Sequence, residues 1–205
     1  MPLTRRRVTD AAALKALAHP ARLALLGALV SEGPMTATEL AALVGESPSN
    51  CSWHLRKLAE HGFVRETRGA TGRKRPWQAV GEGLEWDDSA TDASQRLAAE
   101  ALTDLLVERE MQRFRAARAA RDGEPDDWRE ATGLVHASVW LTAEEASAAK
   151  AEIEEVLMRH TDRSRAPDGR PEGARLTSLV AWLVPAGPHT VSDVRASPSS
   201  ASEAP

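Results

Sequence analysis

Ser47-Pro48-Ser49-Asn50-Cys51-Ser52-Trp53-His54-Leu55-Arg56-Lys57-Leu58 is the stretch on which the fold turns. Ser47 is a good helix N-cap, and Pro48 suits the first helical position, where no backbone N–H is needed. The helix runs on to Gly62, whose missing Cβ fits a left-handed end. Within it Leu55 and Leu58 face a core, and His54 is read as a structural histidine satisfied by a backbone partner. Just upstream, Thr36-Ala37-Thr38-Glu39 is a capping box, hydroxyl and carboxylate each satisfying an orphan backbone donor, and opens a short helix through Val44. Gly45-Glu46 makes the turn between the two.

Working outward, Leu14, Leu17 and Ala18 share a face of a helix that should end near His19, because the residue before Pro20 is biased away from helical angles. Pro20 starts another, with Leu23, Leu26, Ala28, Leu29 and Val30 as its apolar side and Gly33-Pro34 as its stop. Beyond Gly62, Phe63–Thr67 is strand-like, Arg68–Gly72 breaks the pattern and Arg75–Val80 resumes it, giving a hairpin with a basic tip and Trp77 packed beneath it. A helix pair followed by such a hairpin is the outline of a winged helix-turn-helix.

Thr91-Asp92 starts a long helix to about Ala120, whose apolar stripe includes Leu97, Ala101, Leu102, Leu105, Leu106, Val107 and Met111 and reaches Phe114. A short helical segment surrounds Asp127–Glu130. Leu134–Leu141 reads as a strand, Thr142-Ala143-Glu144-Glu145 as a second capping box for a helix to about Arg159, and Leu176–Val184 as another strand. The fold class expected is mainly α with small β elements: an N-terminal winged helix-turn-helix, a long helix and a small α+β C-terminal region. Trp140, Trp182 and His136 either line a pocket there for an unknown small-molecule effector or belong to a core. Residues 1–8, a basic tail, and the Ser/Pro/Ala-rich end are expected to be mobile.

The chain has 205 residues, 42% of them hydrophobic, and a net charge of -4. The average conceals an asymmetry. Residues 1–83 hold 12 Lys and Arg against 7 Asp and Glu, whereas residues 84–205 hold 14 against 23. Only the first part has the charge of a nucleic-acid-binding surface. No apolar run approaches the ~20 residues that span a bilayer, and no secretory leader is seen, so the expectation is a cytoplasmic protein without a membrane partner. One cysteine, Cys51, forms no intrachain disulfide and is read as a packed thiol.

Leu14-Lys15-Ala16-Leu17-Ala18-His19-Pro20-Ala21-Arg22-Leu23 resembles the opening of the ArsR-type regulators, with their Leu-x-Ala-Leu-(Ala/Ser)-(Asp/His)-Pro-x-Arg segment. The likeness continues through Thr38-Glu39-Leu40-Ala41, through Ser47–Leu58 with its Ser-x-His-Leu core, and through Gly62-Phe63-Val64. It covers about residues 10–83; the remainder is similar only to the longer C-terminal extension of one ArsR-like subgroup. The resemblance implies a dimeric transcriptional regulator, for the most part a repressor, with double-stranded DNA as its partner and the long helix in the homodimer interface. The parts then read as residues 1–83 for DNA binding, 84–122 for dimerisation, 123–185 as the α+β region and 186–205 as a flexible tail.

In such a fold the fourth helix enters the major groove. Ser49, Asn50, Ser52, Trp53 and Arg56 are then the candidate readers. Asn50 suits adenine, Arg56 suits guanine or phosphate, and Ser47 combines capping with a phosphate contact. Arg68, Arg73, Lys74 and Arg75 at the hairpin tip, without an acidic neighbour, would supply salt-sensitive affinity for the backbone. A solvated polar helix face and an ordinary basic loop are the competing explanations.

Sensor metals in this family use Cys pairs on the third helix or Asp/His sets on the last long helix. Met35–Leu40 has no cysteine and Thr91–Arg121 no histidine, so no metal or other cofactor is expected. Nor is there a nucleotide-binding glycine loop or a nucleophile elbow, and the chain is read as non-enzymatic. An activator, and a winged helix that binds protein rather than DNA, are the alternatives.

Overall fold

The computed structural model describes residues 5–67, 75–81, 83–87, 90–160, 163 and 169–185. Its N-terminal helices begin where the caps place them. The Asp10 carboxylate accepts from the Ala13 N–H at the head of α1 (Ala11–Leu17). Pro20 opens α2 (Pro20–Glu32), and Thr36 and Glu39 close a reciprocal capping box on α3 (Ala37–Val44). Ser47 Oγ accepts from the Asn50 N–H at 3.2 Å to start α4 (Pro48–Glu60). Between α3 and α4 the chain turns at Gly45, with φ of 71°, a conformation in which a Cβ would clash with its own carbonyl.

One buried cluster unites these elements. Leu14 and Leu17 of α1, Leu25 of α2, Leu40 of α3 and Cys51, Leu55 and Leu58 of α4 have no exposed surface, and Phe63 seals the edge. Next comes the hairpin of β2 (Val64–Glu66) and β3 (Trp77–Ala79), antiparallel with Val64 opposite Ala79 and Glu66 opposite Trp77. Met35 exchanges backbone hydrogen bonds with Trp77, which ties the hairpin base to the entrance of α3 and leaves Trp77 half-buried against the core.

Of the segment 1–8 expected to be a mobile basic tail, residues 1–4 lie outside the described residues and the rest is β1 (Arg5–Val8), paired in parallel with β4 (Gly83–Trp86). Two side chains anchor it. Val8 is buried, and the Arg6 guanidinium donates to the carbonyls of His61 at 2.7 Å and Gly62 at 2.8 Å while lying 4.6 Å from the centre of the Phe63 ring. A cation at a helix C-terminus meets both unpaired carbonyls and the negative end of the helix dipole. The composition shift at 81–83 falls at the start of β4, so backbone pairing crosses it.

Asp92 caps the long α5 (Ala93–Ala120). Its residues divide between two sides. Ala98, Ala99 and Leu102 are buried, and Leu105 and Leu106 half-buried, in the same core as α1. Leu97, Ala101 and Val107, with Met111 and Phe114 on the same arc, lie opposite, and Leu97 is 65% exposed. A 3-10 turn (Arg121–Gly123), α6 (Asp126–Ala131) and α7 (Ala143–Met158), which opens on the expected Thr142/Glu145 capping box, complete the helices.

The architecture is therefore mainly helical with a few small strands, an N-terminal helix-turn-helix and a long following helix. The C-terminal strands are a correction. Residues 134–141 and 176–184 carry no regular secondary structure and lie largely in solvent. A β-ladder needs a partner edge, and the described residues bring none to either segment. Among the described residues no single helix is long and apolar enough to cross a membrane.

Arg6→Ala removes two charge-assisted hydrogen bonds and the stacking on Phe63. Folding stability should fall by about 1–2 kcal/mol, read as a lower urea midpoint at unchanged slope.

Candidate nucleic-acid interface

Because Cys51, His54, Leu55 and Leu58 point inward, helical geometry turns Ser49, Trp53 and Arg56 outward along the opposite side of α4. Trp53 is 47% exposed, its ring held edge-on to His54 at 4.8 Å between centroids. Arg56 is exposed. Ser47 and Ser49 share a hydrogen bond at 3.1 Å at the head of the helix. The structure thus brings Ser47, Ser49, Trp53 and Arg56 together on one solvent-facing strip.

Two candidates are more occupied than the sequence suggests. Ser52 Oγ donates back to the Pro48 carbonyl at 2.8 Å, and Asn50 Nδ2 donates to Glu46 Oε2 at 2.6 Å. Asn50 keeps its Oδ1 and a second N–H, which is the donor–acceptor pair an adenine edge requires. Glu46 was missed; it places a carboxylate at the N-terminus of α4, where an anion is favoured by the helix dipole. Its signal in the sequence was only its position, four residues before Asn50.

On the hairpin, Arg75 is described and exposed, whereas Arg68, Arg73 and Lys74 lie outside the described residues. The expectation that the basic tip has no acidic neighbour is corrected: Arg75 Nη1 stands 3.2 Å from Glu66 Oε2, across the two strands. Arg65, also exposed on β2, adds a cation that was not anticipated.

Beneath the strip lies a pair of histidines. The His19 and His54 rings are 4.6 Å apart, tilted by 45°. His19 caps α2 through Nδ1, which accepts from the Ala21 N–H at 3.2 Å and so must be unprotonated. The backbone partner expected for His54 is not found at Nδ1. The residue is 4% exposed, and Nδ1 has no hydrogen-bond partner among the described residues. Burial, then His19 and the nearby Arg22, press the His54 pKa down; burial and Arg22 do the same for His19, and Glu46 opposes both. Arg22 itself grips the end of α1, donating to the carbonyls of Ala16 and Lys15. Cys51 is a fully buried thiol whose pKa burial pushes up, as expected of a packed residue.

Trp140, Trp182 and His136 neither line a pocket nor belong to a core, the two alternatives open for them. Trp140 is 77% exposed, and Trp182 and His136 are likewise in solvent. A cavity of about 270 Å³ lies elsewhere, among Leu23, Leu26 and Val30 of α2, Trp86 of β4, and Leu106 and Arg109 of α5.

Both imidazoles bind a proton less readily in the folded chain than in the unfolded one. Below pH 6.5, the ordinary histidine value, the unfolded chain takes up more protons, so stability is intact above that pH and falls as pH drops through the depressed folded values. Urea unfolding at pH 7.5 and pH 5.5 should show the loss, and His54→Leu should flatten it. An unchanged pH dependence in that variant would remove His54 as its source.

The family described as a helix-turn-helix domain matches residues 17–67. No curated protein matches the chain. Among solved structures, a transcriptional regulator from Thermotoga maritima is similar at 16% identity over 69% of this chain and 77% of its own, with a TM-score of 0.28, too low to bear on the fold. The matched segment begins in the last residue of α1 and ends just past β2, so it encloses α4 and the whole of its exposed strip: a helix-turn-helix domain carries the candidate readers.

Proposed function

We propose that the chain is a sequence-specific DNA-binding transcriptional regulator of the ArsR-like kind, a repressor acting as a homodimer on a palindromic operator and not metal-responsive. One observation carries this reading: the exposed strip of Ser49, Trp53 and Arg56 on the second helix of a helix-turn-helix domain, backed by a rigid core and flanked by a hairpin with cations. In a dimer on DNA the strip enters the major groove. Asn50 and Arg56 read base edges, Ser47 and Ser49 hold a phosphate, and Arg68, Arg73, Lys74 and Arg75 follow the adjacent backbone.

Residues 1–83 act in DNA binding and 84–122 in dimerisation. The outer side of α5, Leu97, Ala101 and Val107, supplies an apolar surface opposite the core-facing one, and two-fold symmetry would place two α4 helices on successive major grooves. The single cysteine is buried in α4, a poor position for a thiolate metal ligand. An effector, if the regulator answers to one, would be a small apolar molecule sized to the cavity beside α5.

Arg56→Ala should weaken binding to a selected operator by about 1–3 kcal/mol and relax the preference at one base position, read by fluorescence anisotropy. Joint replacement of Arg73, Lys74 and Arg75 by Ala should weaken binding to all fragments alike and lower its salt dependence. No binding of the unaltered protein to genomic fragments at low salt would replace this reading with a protein-interaction module, which the Glu46 carboxylate beside the strip would suit.

A further inference from the structure

We propose that residues 133–141 and 176–184 are the two halves of an intermolecular sheet, each pairing with the other segment of a second copy of this chain. The proposal extends the dimeric reading above to a surface separate from α5.

Both segments are rich in apolar residues and carry no regular secondary structure, and among the described residues no backbone–backbone hydrogen bond involves either. Val135 is 95% exposed, and Val139, Trp140, Leu176, Trp182 and Val184 are exposed as well. Together these segments present on the order of 1,000 Å² of apolar surface, above the few hundred a monomer ordinarily shows and near the ~800 Å² per partner of a stable interface. The helix between them, α7, has no buried residue. An amphipathic helix and two apolar segments without cover are what remains of a β-α-β unit when its partner edge is elsewhere.

Their anchoring holds the two segments at one end of α5 without pairing them to each other. Arg121 donates to the carbonyls of Arg129 and Thr132, fixing the start of the first segment at the far end of α5. Arg175 bonds both oxygens of Glu124 and lies 4.7 Å from the Trp128 ring centre, fixing the start of the second segment at the same place. From there Ser178 Oγ donates to Glu110 at 2.8 Å, which lays the second segment back along α5, while the first makes no such contact and stays unpaired. Each chain therefore holds one anchored acceptor edge and one free strand. Two-fold symmetry joins them as two equivalent crossed pairs, a closed exchange that leaves neither apolar segment uncovered.

Sedimentation velocity and hydrogen exchange on the full chain test this. Val139→Pro and Val180→Pro each remove a ladder donor from a segment that is exposed in the single chain, so far-UV circular dichroism should be retained while the dimer dissociation constant rises on the order of a hundredfold. Amides of 134–141 and 176–184 should be protected in the unaltered dimer and lose protection on dilution. Rapid exchange of both segments within a dimer would overturn the proposal. So would a dimer that both prolines leave intact but Leu97→Glu dissociates, an outcome that keeps α5 as the interface. A chain that stays monomeric at every concentration overturns both.

Discussion

Burial of one side of α4 is the constraint on which everything else rests. Cys51, Leu55 and Leu58 are removed from water by α1, α2 and α3, and each leucine-sized side chain so buried contributes about 1.5–3 kcal/mol. That burial leaves the helix no rotational freedom. Once the inward residues are set, the positions of Ser49, Trp53 and Arg56 on the outer side follow from the helical repeat alone. Polar contacts then hold the axis at both ends: Ser47 at the head, and the Arg6 guanidinium at the tail. The site is rigid because its back is a core.

The parts of this arrangement that the sequence disclosed are the local ones. Asp92, Thr36 with Glu39, Ser47 with Pro48, and Thr142 with Glu145 each satisfy backbone donors within three residues, so the residues that start a helix lie beside it in the chain. What escaped depends on distant partners. β1 pairs with β4 across more than seventy residues, and a run of arginines before a helix gives no hint of that register. His19 serves as an N-cap although histidine is not a preferred one, and His54 is buried against it without a partner for Nδ1. The engagement of Asn50 by Glu46 was hidden for a simpler reason: side-chain hydrogen bonds across a turn depend on rotamers, which composition does not encode.

The C-terminal half shows a different limit. Leu134–Leu141 and Leu176–Val184 read as strands on their apolar composition, but pairing belongs to the edge that meets a strand rather than to the strand. The same distinction separates the two sides of α5. Its apolar residues read as one stripe, whereas the folded chain uses Ala98, Ala99 and Leu102 against α1 and leaves Leu97 and Val107 outside. A stripe wide enough for two contacts looks, in one dimension, like a generous single one.

That helix has a mechanical meaning too. Its 28 residues make a rod of about 42 Å, packed on the core over its first half and tied to the Leu23 carbonyl by Arg109 just beyond it. A tilt of about 5° where that packing ends carries the far end through about 2 Å. The relation runs in both directions: whatever holds the residues beyond Glu110 gears small angular changes to the seat of α1, and through the shared core to the pitch of α4. The long arm of such a lever is the outer half of α5, and its short arm is the seat of α1.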